Sequence, residues 1–451
     1  MYINHYDIRL FYRCPMLLYL NEHGPEDEKK IHPIIQTRKR YSKHPEITKK
    51  FVERELQRTD ALMKKGTNTI NQCWIGFDNK VAKVNRLTKI QTQSNLGSYA
   101  YVPTFLRHQP NLRKPLVMEG TFSAYICSEI QEADIDYFVI QHQHEKDNQN
   151  VEENLKELKE DLDKIWKIKR GDIEISPNYT RGCRVCEWRI YCKEIAAQTL
   201  DLTLISGIGK RVKSELFKYD IKDVTTLAKA DLTELSLQAA SKNDLKFFKL
   251  QAESLVTKKE IIREKMDFPE SIVELFVDIE GSSHHDFIWI IGCLIRTEGD
   301  VDYIPFQANS PKEEKEMIES FLEFVNKFNG NYVLYHWSSA EPQYFKNLKI
   351  KYSLPYQKLS DLTKNSFDLF PIFKDKIVLP LYTYTLKDVA NWLGFQWHDP
   401  MSDGATSIVL FDRWYNNNDR RALEKAVSYN SDDCKALMIA KDYLRKKLAK
   451  K

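Results

Sequence analysis

From residue 271 onward the chain alternates short apolar runs with longer amphipathic ones. Residues 272–279, 287–296 and 332–336 are rich in Val, Ile and aromatic side chains and read as strands. Residues 311–328, 386–393, 407–415 and 420–447 carry apolar positions at helical spacing and read as helices. That alternation predicts an α/β layer architecture. Residues 1–200 read differently. They open with an amphipathic stretch over 10–20 and continue with a helix over 46–65. Segments with strand character follow at 70–77, 99–105 and 137–141, then a charge-dense helix over 151–169. Residues 201–265 are helical throughout, with Lys and Glu spaced for an exposed face. The expected organisation is α/β multidomain: an α/β domain over 1–200, a small all-α domain over 201–268, and an α/β domain with a mixed sheet over 269–451.

Composition narrows the class. A chain of 451 residues with 42% hydrophobic and 12% aromatic content can bury a core in each of two or three domains. Its 68 Lys and Arg against 64 Asp and Glu leave a net charge of +4, only a faint pull toward polyanions. The longest apolar run, 287–295, is interrupted by Gly292 and is far short of the roughly 20 residues a membrane span needs. The first residues lack a basic region followed by an apolar one, so a cytoplasmic protein is expected. There is no internal repeat, and only 446–451 is low in complexity. Disulfides are not expected among the eight cysteines, so clustered ones call for a ligand reading.

Three patterns carry chemistry. Asp278 and Glu280 sit at i and i+2 in an apolar strand and so point to one face. Burying two like charges is costly unless a divalent cation neutralises them; the ordinary alternative is an edge strand whose acidic face meets water. On the last helix, Tyr429 and Asp433 are i and i+4 and also face together, and a Tyr one turn from a carboxylate can hold a water against a metal. Asp432 competes with Asp433 but has no Tyr at that spacing. The second pattern is Cys183-x2-Cys186-x5-Cys192, with Cys14 the natural fourth ligand; spacing fits zinc and an iron–sulfur cluster equally. Cys73, Cys127, Cys293 and Cys434 stand singly and read as buried residues. The third is Gly207-Ile208-Gly209-Lys210-Arg211, where glycines at a helix mouth let the backbone approach a phosphate; a plain helix cap is the alternative. Asp368 and the pair Lys387-Asp388 read as helix caps or surface pairs, and His284 and His285 as solvated loop residues.

Tyr6-Asp7-x6-Cys14-Pro15 together with the later three-cysteine pattern resembles the iron–sulfur RecB-like nucleases. That resemblance implies a restriction-endonuclease-like domain over 1–200 clamped by four cysteines around a 4Fe–4S cluster. The family's catalytic residues are missing: Val84-Asn85-Arg86, Tyr101-Val102-Pro103-Thr104-Phe105 and Thr121-x3-Tyr125 stand where its acids, Lys and Gln would be. The domain is therefore expected to bind or scaffold rather than cut, unless a displaced acid such as Asp78 or Glu119 restores the site. The Gly207–Arg211 stretch resembles a helix-hairpin-helix, a sequence-independent binder of nucleic-acid backbones.

Asp278-Ile279-Glu280-Gly281, His336-x4-Glu341, Leu386-Lys387-Asp388 and Tyr429-Asn430-x2-Asp433 resemble, over 272–447, the DEDD exonucleases of the RNase H-like superfamily (DnaQ-type). Within that superfamily they are most similar to the YprB-like group. The resemblance implies two Mg²⁺ or Mn²⁺ ions about 4 Å apart. Asp278 would bridge them, Glu280 and Asp433 would bind the ion that activates water, Glu341 would help the second, and Tyr429 would orient the nucleophile. Glu341 departs from the usual Asp by one methylene. The implied activity is a 3′→5′ exonuclease on single-stranded DNA, with a helicase in trans as a conceivable partner. The rival readings are a non-catalytic nucleic-acid-binding subunit and a nuclease acting through the N-terminal domain.

Overall fold

The computed structural model describes residues 1–32, 49–107, 113–142, 145–282, 287–354, 362–399 and 404–450; His284 and His285 lie outside them. The chain is mixed α/β throughout and divides into two compact units. One takes in Met1–Lys30, the described part of Ser42–Asn178 and Glu187–Cys192; the other takes in Tyr179–Cys186 and Lys193–Lys451, with part of Ile31–Tyr41.

The first unit is built on a six-stranded sheet of β1 (Ile3–Asn4), β2 (Thr69–Phe77), β3 (Lys80–Ile90), β4 (Ala100–Arg107), β5 (Tyr137–His142) and β6 (Glu145–Asn150), in the order β1-β3-β4-β5-β6 with β2 also on β3. The β1–β3 and β4–β5 pairs are parallel and the others antiparallel. The expected amphipathic stretch over 10–20 is two helices, His5–Arg13 and Pro15–His23, broken at Cys14. Pro15 disfavours helical geometry in the residue before it, and Cys14 is accordingly extended, with φ −168°. A helix the periodicity did not show, Lys114–Gln131, is buried almost all round, through Met118, Phe122, Ala124, Ile126 and Cys127. A helix without a polar face has no amphipathic stripe to read. Gly120 lets it lie against the Phe138 ring, which a Cβ would meet at 2.4 Å.

The second unit centres on a five-stranded sheet of β8 (Val273–Ser282), β9 (Phe287–Arg296), β10 (Val301–Gln307), β11 (Tyr332–His336) and β12 (Ser366–Asp368), in the order β10-β9-β8-β11-β12. β8 lies in the middle, antiparallel to β9 and parallel to β11. Its side chains alternate between two cores. Leu275, Val277 and Ile279 pack with Ile318, Phe321 and Leu322 of the helix Glu314–Asn326, while Phe276 packs with Cys434, Leu437, Ala440 and Leu444 of the helix Arg420–Leu448. That long helix starts at Asp419, whose side chain accepts from the Ala422 amide, and presents its apolar positions three and four apart. The edge strand β10 carries Pro305, which lacks an amide hydrogen and is tolerated at an edge. The helical stretch after residue 201 has its own core of Leu202, Ile205, Ile208, Leu216, Leu245 and Phe248. It is stitched to the sheet-bearing part of the unit by antiparallel pairing of β7 (Ile261–Ile262) with β13 (Ile377–Val378) and by Gln251 donating to Leu381 O at 3.0 Å. No helix among the described residues is long and apolar enough to cross a membrane.

Candidate active site

Strand alternation sends Asp278 and Glu280 to the face of β8 that the long helix covers. Just beyond Glu280 the β8–β9 register slips by one residue, an irregularity of the kind that re-aims side chains next to functional sites. From the helix, Asp433 reaches the same point. Ligand oxygens of Asp278, Glu280 and Asp433 all lie within 4.8 Å of one another, the only such acid, His or Cys group among the described residues. Glu341 approaches from the first turn of the helix Ala340–Tyr352; it is buried, with His336 Nδ1 3.5 Å from its Oε2.

The electrostatics set this cluster apart. Burial, then the like charges of Asp433, Glu280 and Glu341, push the Asp278 carboxyl well above the usual range. Burial also raises Asp433, to about 7, against hydrogen bonds from Trp397 and the Tyr429 hydroxyl that favour its ionised form. Glu341 is raised too, chiefly by burial. The hydrogen-bond donors to Asp278 and Asp433 are neutral: Asn430 Nδ2 lies 2.7 Å from Asp278 Oδ2, and Trp397 Nε1 lies 2.8 Å from Asp433 Oδ1. The charge of Lys387 also favours the ionised form of Asp433. Hard oxygen donors within 4.8 Å of one another and their mutual repulsion together fit Mg²⁺ or Mn²⁺. Asp278, Glu280, Asp433 and Glu341 would hold such ions.

The other candidates fall elsewhere. Asp432 turns away from the cluster and is held by His398, whose backbone N lies 2.9 Å and ring Nδ1 2.8 Å from it. Asp368 accepts from Ser338 N at 2.8 Å and Phe370 N at 2.9 Å, fixing the turn that leads to Glu341, where Ser338 has φ 77°. Asp388 closes the helix cap at Thr385, with Thr385 Oγ1 2.6 Å from its Oδ2. Gly207 has φ +99° and rests on Phe248, Gly209 caps the helix Lys210–Phe217, and Lys210 and Arg211 are exposed. Cys14 and Cys192 belong to the first unit, Cys183 and Cys186 to the second, and all four are half-buried. The Thr180 amide donates to Cys183 Sγ at 3.4 Å.

In the first unit, Asn85 Oδ1 accepts from Leu106 N at 3.1 Å. Neither displaced acid forms part of an acidic group. Glu119 is gripped by Arg9 at 2.6 and 2.7 Å, with Arg107 at 3.6 Å, and Asp78 sits at a hairpin turn with its side chain 68% exposed.

Sequence reasoning did not assign Asn430 or Trp397. Asn430 had a signal: it is i−3 from Asp433 and so shares its helix face. Gly292 had one too, since a glycine inside an apolar strand marks a close approach. Trp397 had none, because its hydrogen bond joins residues far apart in the chain.

A comparison with curated proteins finds no match. A family model of the RNase H superfamily, whose members are typically metal-dependent nucleases, matches residues 275–445, the stretch that carries Asp278, Glu280, Glu341, Tyr429 and Asp433. Residues 275–445 are thus an RNase H-like domain with a carboxylate cluster at its sheet.

Proposed function

We propose that this chain hydrolyses phosphodiester bonds in nucleic acid as a 3′→5′ exonuclease on single-stranded DNA, with the chemistry in its RNase H-like domain. The observation that carries the reading is the cluster of Asp278, Glu280 and Asp433, whose ligand oxygens lie within 4.8 Å of one another, with the Glu341 charge nearby and neutral donors on Asp278 and Asp433. Two divalent ions bound there would neutralise the developing charge and supply a hydroxide at neutral pH. Tyr429, hydrogen-bonded to Asp433, orients the attacking water. The four acids set where the scissile phosphate must sit, and burial keeps bulk water from competing. Polarity and preference for single-stranded DNA rest on the resemblance of the motifs to DEDD exonucleases.

The rest of the chain is read as substrate handling. Gly207, Gly209, Lys210 and Arg211 would contact phosphates without reading sequence. The N-terminal domain would bind rather than cut, since Glu119 is neutralised by arginines. Cys14, Cys183, Cys186 and Cys192 are proposed as ligands of a 4Fe–4S cluster, with zinc as the alternative; iron and sulfide analysis of anaerobically purified protein against its zinc content separates the two. A helicase acting in trans is the proposed partner, and a pull-down that recovers no motor protein counts against it.

The test is a digestion of end-labelled single-stranded and duplex DNA and RNA with Mn²⁺, Mg²⁺ or EDTA, comparing the parent with Asp278→Ala. Metal-dependent laddering from the 3′ end, lost in the variant, is the expected result. Cleavage that survives in Asp278→Ala moves the chemistry to the N-terminal domain. Binding without cleavage in either protein makes the chain a nucleic-acid-binding scaffold.

A further inference from the structure

Asp278 is held by more than its strand. Asn430, wholly buried, donates Nδ2 to Asp278 Oδ2 at 2.7 Å and leans on Asp278 O at 3.2 Å. Its own Oδ1 accepts from the Tyr303 hydroxyl at 2.7 Å. Tyr303 lies on β10, two strands away from β8, so the chain of contacts crosses the sheet from its edge to its centre. The space for it is made by Gly292, the β9 partner of Asp278, where a Cβ would come within 1.6 Å of Asn430 Oδ1. A glycine and a phenol on two strands thus fix the oxygen end of one amide, whose nitrogen end meets the Asp278 carboxylate.

We infer that Asn430, fixed by Tyr303 and admitted by Gly292, is a positioning residue for Asp278: it occupies Oδ2 and leaves Oδ1 to face Glu280, Asp433 and an incoming divalent cation. This rests on the proposed metal-dependent reading of the cluster and adds to it the device that presents the central acid. The amide suits the task for a chemical reason. A Lys or Arg in its place would neutralise Asp278 and compete with a cation, as Lys441 and Arg296 do at Glu274, whereas an amide donates a directional hydrogen bond and carries no charge. The Tyr303 hydroxyl orients that amide. A phenol donating to Oδ1 turns Nδ2 toward the carboxylate, and without it Asn430 can rotate and put an oxygen against Asp278. Partners of this kind behind a metal ligand contribute about 10–100-fold to metal affinity.

The experiment measures Mn²⁺ binding calorimetrically on the full chain, without nucleic acid, for the parent, Asn430→Ala, Tyr303→Phe and Asp278→Ala, alongside melting in EDTA. The expected result is Mn²⁺ affinity about 10–100-fold weaker in Asn430→Ala and weaker by a smaller factor in Tyr303→Phe. The loss should persist at temperatures where the variants are fully folded. Parent-like affinity in a folded Asn430→Ala overturns the inference while leaving the acid cluster standing. If Asn430→Ala does not fold, Tyr303→Phe decides, because it removes one oxygen and keeps the ring in its apolar setting; unchanged affinity there overturns the inference equally. A folded parent that binds Mn²⁺ no better than Asp278→Ala defeats the metal reading of the cluster and this inference with it.

Discussion

Glu274 and Asp278 lie four residues apart on the same face of β8, beneath the same helix, and their surroundings are opposite. Glu274 meets Lys441, which is 1% exposed, and Arg296, whose Nε lies 2.6 Å from it; Asp442 then ties Arg296 from outside. Asp278 meets Asp433, Glu280 and Glu341, all of its own sign, and one neutral amide. The other deeply buried acids follow Glu274. Glu119 has Arg9, Asp7 has Lys169 at 3.0 Å, and Glu314 has Lys351 at 2.6 Å. An acid buried for architecture brings its counter-charge in the same chain, because an unpaired buried charge costs several kcal/mol. Asp278 has no such ion pair among the described residues, and the three acids around it leave a place that the proposed divalent cation would fill.

The largest expected effect comes from removing the repulsion. Asp278→Asn keeps the shape and an acceptor for Asn430, so metal-dependent cleavage should vanish while the metal-free protein melts higher. About 1 kcal/mol of relief raises Tm by roughly 2–4 °C in a domain of this size. A lower Tm in EDTA would mean the acids are not in conflict. Treating the other end of the strand the same way should do the reverse. Lys441→Met leaves Glu274 with Arg296 alone and should cost about 3 kcal/mol in urea unfolding, while the Mn²⁺ concentration for half-maximal cleavage stays as in the parent. A shifted Mn²⁺ requirement would show that the two ends are coupled.

Mn²⁺ should raise the Tm of the parent by an amount that grows with concentration, about 2.7 kcal/mol at a hundred times Kd, and leave Asp278→Asn unmoved. Equal shifts in both proteins would locate the binding elsewhere. The smallest effect is on pH. Asp433 is raised from 3.8 when unfolded to about 7 when folded, so without metal its contribution falls as pH rises from about 4 and levels off above about 7. Metal must displace that proton, so Mn²⁺ affinity should climb over the same interval. Melting in EDTA from pH 5 to 8, parent against Asp433→Asn, checks it: the parent should lose stability relative to the variant as pH rises, and parallel curves would remove the cause.

Much of this was legible in the chain. The period-two run around Asp278 gave a strand and put two acids on one side of it, and the i, i+4 spacing of Tyr429 and Asp433 put both on one helix face, because those periods are local backbone geometry. β9 and β11 appear over the residues expected of them. The helix Lys114–Gln131 was not legible, since it is buried almost all round, nor was the helix Ala340–Tyr352 that carries Glu341, which is weakly amphipathic and leaves Ile350 72% exposed.

Local periodicity in the chain puts Asp278 and Glu280 on one strand face and Tyr429 and Asp433 on one helix face. Long-range packing brings those two faces together, gives Glu274 Lys441 and Asp278 Asn430, draws Asp432 off to His398, and leaves at Gly292 the gap that Asn430 fills. The first set depends on dihedral periodicity over a few residues. The second depends on which distant segments are packed together, and on the cost of a buried charge, which is settled only when its neighbours are in place.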